Sequence, residues 1–345
     1  MKYLVCRIDL FNKLISIFEQ GFNIQNNTKN LKVYNSISDF QNVCRPILTT
    51  GTFDGVHFGH KIIIDRLKEI AKNQNGETVL LTFSPHPRMV LFPDDHNLQL
   101  INTLDEKIKL LEQAGIDHLI IHPFTKEFSR TTSMQFVRDI IVNELNAHKL
   151  VIGYNHHFGR NREGSFDHLK EYAPLYGFEV EEISAQLIDD VSISSTKIRK
   201  SLLSGDVSKA ADYLGYHYTL QGKVIEGQQI GRTLGFPTAN LKVLNVSKLI
   251  PKDGVYAVHV EVKGQPFKGM MNIGNNPSLI SKKHSLEVHI FDFDSDIYNE
   301  QIEVRFIKYI REETSFDNLD ALKIQLGRDK ATVKAVLKFD KLDRI

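Results

Sequence analysis

The first half of the chain alternates short apolar runs with amphipathic ones. "RPILTT", "TVLLTF", "HLIIHPF", "KLVIGY" and "FEVEEI" read as strands, most of them apolar without a break. The segments between them have helical spacing. "HKIIIDRLKEIAKNQNG" places Ile63, Leu67 and Ile70 on one face with Gly76 past the end. "LDEKIKLLEQAG" and "SMQFVRDIIVNEL" also read as helices. Unbroken apolar strands joined by helices predict a parallel sheet covered on both faces. Ligands then gather in the loops at the carboxyl ends of the strands. "TTGTFDGVHFGH" is one such loop.

From Tyr218 the pattern changes. "YTLQGKVI", "GVYAVHVEVKG", "PFKGMMNIG", "SLEVHIFDFD" and "QIEVRFIKYI" read as strands, several of them with period two. Val255, Ala257, His259 and Glu261 alternate with Tyr256, Val258, Val260 and Val262. Short strands with glycine-rich turns predict a small antiparallel barrel. Before it, "SISSTKIRKSLLSGDVSKAADYLGY" reads as two short helices separated by Gly205. A helix within "SFDNLDALKIQLGRDKATVKAVLKF" closes the chain. The expected division is a first domain over 32–187, a helical linker over 188–217 and a second domain over 218–345.

Composition narrows the picture. A chain of 345 residues favours two domains over one. A net charge of +1, from 43 basic and 42 acidic side chains, gives no reason to expect nucleic acid or a membrane surface as partner. Anion binding must come from local clusters. Two cysteines, Cys6 and Cys44, make neither a disulfide framework nor a zinc site, so a cytoplasmic location is expected. No apolar run approaches the roughly 18 residues of a membrane helix. The N-terminus lacks the features of a signal peptide.

The candidate chemistry begins at the first loop. A strand, a glycine-rich turn and a helix start make an anion site, because free backbone N–H groups and the helix dipole both favour negative charge. His57 and His60 lie one turn apart at that helix start, and Gly51, Gly55 and Gly59 let a ligand approach the backbone. Two histidines alone could equally be helix caps. A zinc pair lacks further ligands nearby. A second stretch, "SISSTKIRK", offers Ser194, Ser195 and Thr196 followed by Lys197, Arg199 and Lys200. Hydroxyls and cations at a helix start suit a polyphosphate; the bland alternative is an N-cap on a solvated basic helix.

Together, "GTFDGVHFGH", "FSPHP", "GYNHHFGRNREG" and "SSTKIR" resemble the HxGH nucleotidyltransferases. More closely, they resemble the adenylyltransferase module of bacterial bifunctional riboflavin kinase/FAD synthetases. The resemblance implies a Rossmann-like domain in which Gly51, Phe53, Asp54, Gly55, His57, His60, Asn155, Ser194, Ser195, Thr196, Lys197 and Arg199 bind ATP. It gives His57, His60 and Arg199 catalytic roles, and places FMN near Phe83, Pro85, His86, Pro87 and Arg88.

In the second half, "GRTLGFPTANL" carries Gly231 and Gly235 in a flexible turn and Pro237 at its exit. Thr238 and Asn240 then share one face of an extended segment. A hydroxyl and an amide oxygen are hard ligands suited to Mg²⁺ bridging phosphates. A plain Gly/Pro turn is the alternative. With "GVYA", "NIGNNPS", "LEVHIFDFD" and "IREETSF" in this order, the half resembles riboflavin kinase, a six-stranded barrel. The resemblance implies Mg²⁺ at Thr238 and Asn240, Glu287 as general base, and Asn275 and Arg311 near the nucleotide and flavin. Riboflavin, FMN and ATP are then the small-molecule partners, and the protein is expected to be a monomer or weak homo-oligomer. Relatives tend to begin near Lys32, so residues 1–31 are expected to be a loosely packed, dispensable extension. His156 stands where phenylalanine is common and Ser278 where threonine is usual.

Overall fold

The computed structural model describes residues 30–41, 43–94, 98–184, 193–227, 229–275 and 284–338. Most of the expected N-terminal extension therefore lies outside the described residues, as does Ser278. The Asn275 side chain also falls outside this description.

Among the described residues, the first domain is built on six parallel strands. They are β1 (Lys32–Tyr34), β2 (Pro46–Thr50), β3 (Glu77–Ser84), β4 (His118–Pro123), β5 (Lys149–Gly153) and β6 (Glu179–Ile183). Their order is β1-β4-β3-β2-β5-β6. All five residues of β2 are buried, as expected of an apolar strand with helices on both faces. The chain builds outward from β2 through β3 to β4, then returns to β5 on the other side of β2. The carboxyl ends of β2 and β5 therefore flank a topological switch point, where ligands bind in such sheets. The loop after β2 opens there and leads into the helix Phe58–Gln74. That helix buries Ile64, Leu67, Ile70 and Ala71. Ile63, expected on the buried face, sits at the edge of the cluster instead, because Ile64, Leu67 and Ala71 form the i, i+3, i+7 row that faces the sheet.

The second domain is a closed antiparallel barrel of β7 (Thr219–Ile225), β8 (Ala239–Lys242), β9 (Gly254–Val262), β10 (Gln265–Asn275), β11 (His284–Ile290) and β12 (Gln301–Arg311). The strand order is β10-β11-β8-β7-β12-β9. The short β8 begins within the "PTANL" stretch. The period-two reading of β9 separates the two faces correctly: Tyr256, Val258, Val260 and Val262 fill the barrel. The other face is also buried at Val255, Ala257 and His259. Ala257 there joins Met270, Phe291 and Ile307 beneath Val333 and Leu337 of the terminal helix Leu319–Leu337.

The linker helices, Ser195–Leu203 and Val207–Leu214, pack as part of the barrel. Ile198, Leu202, Val207, Ala210 and Leu214 share one buried cluster with Tyr218, Tyr256 and Phe306. Ile101 of the first domain enters the same cluster. Backbone bonds join the domains beside it, Leu100 N to Ser247 O at 2.6 Å and Leu249 N to Leu100 O at 2.9 Å. Between these bonds Lys248 crosses into the first domain. Its Nζ donates to Glu106 Oε2 at 2.5 Å and to Ile101 O at 2.8 Å, and lies 4.5 Å from the Tyr218 ring centre. Burial pushes the Lys248 pKa down, against the pull of Glu106.

Removing one member of a buried ion pair strands the other charge. Lys248→Met is therefore expected to cost about 3–5 kcal/mol in urea unfolding. The double variant Lys248→Met with Glu106→Gln should recover more than half of that loss. A single variant as stable as the parent would contradict this reading.

Candidate active sites in the two domains

The loop after β2 is shaped by its backbone. Gly51 N donates to Leu81 O at 3.0 Å, which holds the loop to β3 as β2 ends. Phe53 (φ 45°), Gly55 (φ 92°) and Val56 (φ 36°) then turn through the left-handed region. Such conformations are costly for side-chain-bearing residues and concentrate where a ligand is held. His57 caps the helix Phe58–Gln74, and His60 reaches back, its Nδ1 accepting from His57 N at 3.3 Å. That bond places the ring proton of neutral His60 on Nε2. The two rings stack with centres 3.7 Å apart, and Phe53 lies 4.7 Å from His60 on centres. Burial lowers the His57 pKa to about 4, although Asp54 pulls it upward. Burial, then His57 and Lys107, hold His60 well below its usual value. Both rings are thus neutral hydrogen-bonding groups near neutral pH.

Asp54 is 2% exposed and ties three segments together. Its carboxylate accepts from Ile101 N at 3.1 Å and Asn102 N at 3.3 Å, and forms an ion pair with Arg199. Arg199 also donates from Nε to Gln99 O at 2.7 Å. In the same helix, Ser194 is the N-cap, and Ser195 Oγ donates to Asp54 O at 2.8 Å. The N-cap reading thus holds for Ser194, but Arg199 is no solvated cation. Thr196 and Lys197 are exposed, as is Asn155 in the turn after β5.

The expected flavin loop lies within reach of the charges of Asp54 and Arg199. His86 caps the short helix Pro87–Leu91, its Nδ1 accepting from Arg88 N at 3.2 Å. Its pKa falls to about 4, first through burial and then through the cations Arg199, Lys107 and Arg88, against the upward pull of Asp54. Pro85 links His86 back to Phe83 at the end of β3. Phe83 packs 5.6 Å from both Phe124 and Phe128, and His122 lies 4.7 Å from Phe128. Sequence reasoning missed this aromatic wall, because "HPFTKEFSR" carries no recognisable spacing. His156 stacks on Phe158 with ring centres 6.2 Å apart, so an aromatic surface persists where phenylalanine is replaced.

In the second domain a cavity of about 310 Å³ lies between the barrel wall and the start of the terminal helix. Thr238, Asn240, Glu287, Arg311 and Gly231 all line it. Glu287 pairs in register with Asn240 on β8 and Asn272 on β10. Its carboxylate accepts from Thr238 Oγ1 at 3.3 Å and Ser285 Oγ at 3.1 Å. Leu286 and Val288 point into the barrel, so Glu287 faces outward into the cavity. The turn before β8 packs tightly: a Cβ on Gly231 would meet Phe236 O at 2.3 Å, and one on Gly227 would meet Asn240 Nδ2 at 2.0 Å. Gly235 (φ 83°) and Pro237 complete it, and Pro237 O accepts from His289 Nδ1 at 2.7 Å. Arg311, expected near the flavin, lines the cavity but is also pinned by Asp329 of the terminal helix, 2.7 Å from Nη2. Asp329, His289, Asn272 and Gly227 were not foreseen.

The donor set at Thr238, Asn240 and Glu287 is all oxygen apart from the amide nitrogen, which suits a hard cation such as Mg²⁺. Among the described residues no group of three or more His, Cys, Asp or Glu is placed to hold a metal ion.

The depressed histidines give the first site a pH signature. In the unfolded chain these histidines titrate near pH 6.5. As pH falls from there toward about 4, the unfolded chain takes up protons that folded His57 and His86 do not, so their neutral burial costs stability over that window. A bound polyphosphate raises the pKa of nearby imidazoles. ATP binding in that window is therefore expected to take up protons. Binding heats measured in two buffers of different ionisation enthalpy should reveal it, and proton release would contradict the placement of ATP beside these rings.

The comparisons follow the same division. The family model described as FAD synthetase matches residues 40–197, and that described as riboflavin kinase matches residues 214–337. A bifunctional riboflavin kinase/FMN adenylyltransferase of Listeria monocytogenes is 37% identical over 84% of this chain and 91% of its own length. The enzyme of the same description from Escherichia coli K12 is 35% identical over 84% of this chain and 91% of its own. A crystal structure described as a macrolide-efflux protein from Streptococcus pneumoniae superposes with a TM-score of 0.79 at 31% identity, covering 88% of this chain and 98% of that one. Among the described residues here, no helix is long and apolar enough to cross a membrane. The chain belongs to the bifunctional riboflavin kinase/FMN adenylyltransferase family.

Proposed function

We propose that the chain phosphorylates riboflavin to FMN in the second domain and adenylylates FMN to FAD in the first, at the residues described above. The observation that carries this reading is the presence of two separate constellations, each suited to a different nucleophile. In the barrel the nucleophile is the neutral ribityl 5′-hydroxyl. Glu287 takes its proton as the oxygen bonds to the γ-phosphorus of ATP and the bond to the ADP oxygen breaks. In the parallel-sheet domain the nucleophile is the FMN phosphate, already an anion. Its oxygen bonds to the α-phosphorus of ATP and pyrophosphate leaves with the electron pair. No base is needed there, only positioning and neutralisation of charge. His57 and His60 supply neutral N–H donors to the phosphates, and Arg199 sets the turn through Asp54.

Thr238 and Asn240 would hold Mg²⁺, which would supply neutralisation of phosphate charge in the kinase step. Thr238, Asn240 and Glu287 converge within one cavity, which supports the assignment. The reading carries with it domain limits of 32–187 and 218–345, with a linker over 188–217 whose two helices, Ser195–Leu203 and Val207–Leu214, pack onto the barrel. Two cysteines in 345 residues support a cytoplasmic location.

The test is to incubate the protein with riboflavin, ATP and Mg²⁺ and to resolve the flavins by chromatography. Glu287→Ala should lower FMN formation by about 10²–10⁴-fold, the usual worth of a general base, while FMN-to-FAD conversion persists. His57→Ala with His60→Ala should do the reverse. A folded variant that loses both reactions would overturn the assignment of one reaction to each domain.

A further inference from the structure

A backbone turn binds a polyphosphate only if its N–H groups face the ligand and its carbonyls face away. In the loop after β2, four consecutive carbonyls are taken. Thr52 O accepts from Lys107 Nζ at 2.7 Å and Thr82 Oγ1 at 3.2 Å. Phe53 O accepts from Val56 N at 3.3 Å. Asp54 O accepts from Ser195 Oγ at 2.8 Å, and Gly55 O accepts from Tyr216 Oη at 2.6 Å. The amides of Phe53, Asp54 and Gly55 donate to no acceptor among the described residues. In a trans peptide the N–H points opposite the preceding C=O. Tying back the carbonyls of Thr52, Phe53 and Asp54 therefore turns those three amides the other way, as an anion-binding nest requires.

Tyr216 is the unexpected member of this set. It lies inside the segment matched by the riboflavin kinase model, which begins at residue 214, yet its hydroxyl serves the loop of the other domain. The contact is built closely on both sides. Gly55 has φ 92°, and a Cβ there would meet Ile101 Cδ1 at 3.1 Å and Leu214 Cδ2 at 3.5 Å. Asn102 Oδ1 lies 3.2 Å from the same hydroxyl as a second acceptor, and Asn102 N donates to Asp54. Both partners are acceptors, and the phenolic proton goes to the nearer one, Gly55 O at 2.6 Å. The Gly55–Val56 peptide is the last before that of His57. Fixing it sets where His57 enters the helix.

We propose that Tyr216 is a positioning residue for adenylyl transfer: through the Gly55 carbonyl it holds the phosphate-binding turn and the entry to His57 in place. The inference rests on assigning the first-domain loop to the ATP of the FAD-forming step. A nucleoside triphosphate is the ligand whose binding it governs.

Tyr216→Phe removes one hydroxyl at nearly constant volume. Steady-state FMN-to-FAD kinetics should show kcat/KM for ATP reduced about tenfold, the loss expected of one hydrogen bond. KM for FMN and the riboflavin-to-FMN rate of the same protein should stay within about twofold, because the barrel keeps its aromatic ring. A merely structural role would lower both reactions together, and that result would overturn the proposal. So would unchanged kinetics with ATP, or a loss confined to KM for FMN. Lys107→Met, which releases Thr52 O, should reproduce the loss in the ATP parameter if carbonyl tie-back is the cause. His57→Ala with His60→Ala is run alongside: if that variant still makes FAD at the parent rate, the site assignment itself fails, separately from the role of Tyr216.

Discussion

The first active site depends on a buried carboxylate. Asp54 sits in a turn that would otherwise be a short glycine-rich loop, and it receives the amides of Ile101 and Asn102 and the guanidinium of Arg199. A carboxylate taken from water is tolerated only when its charge is matched and its lone pairs are filled. Asp54 meets both conditions by drawing residues from the middle of the β3–β4 connection and from the linker helix to the turn after β2. The His86 loop, the turn after β2 and the "SSTKIR" helix thus share one electrostatic centre. His57, His86 and Arg199 all register the charge of Asp54.

The two domains solve different chemical problems with different residue types. An anionic phosphate nucleophile calls for donors and cations, and the first domain offers stacked neutral imidazoles, free amides and Arg199. A neutral hydroxyl calls for a proton acceptor, and the barrel offers Glu287 on an outward-facing strand position between two asparagines. Yet the domains are not independent bodies strung on a linker. The linker helices belong to the barrel core, Lys248 reaches Glu106, and Tyr216 reaches Gly55. The helix Leu104–Gln113 stands at the centre of this joint. Its first turn sends Glu106 toward the barrel and Lys107 toward Thr52.

Much of this was legible in the residues. Unbroken apolar strands dictated a covered parallel sheet, and period two in β9 separated the barrel interior from its outside. His57, His60, Thr238 and Asn240 stood out because glycine turns and strand alternation fix side chains locally, whereas Glu287 was singled out by the resemblance to riboflavin kinase. Contacts made across the chain were hidden. Lys107 reads as an ordinary helix lysine in "LDEKIKLL", and Tyr216 as a residue ending a helix. Their roles exist only once the linker and the β3–β4 connection fold over the turn. Asp329 was hidden for the same reason, since its partner Arg311 is on a different element. The burial of both faces of β9 was illegible because it is caused by the terminal helix, remote in sequence.

The central claim is that the Asp54 carboxylate assembles the adenylyl site while the barrel works without it. The most direct measurement is of both reactions in one preparation of Asp54→Asn, which keeps an acceptor for the backbone amides but removes the charge paired with Arg199. FAD formation from FMN should fall by at least about tenfold, the least expected when a buried charge pair is broken, with FMN formation from riboflavin retained. Undiminished FAD formation would contradict the account.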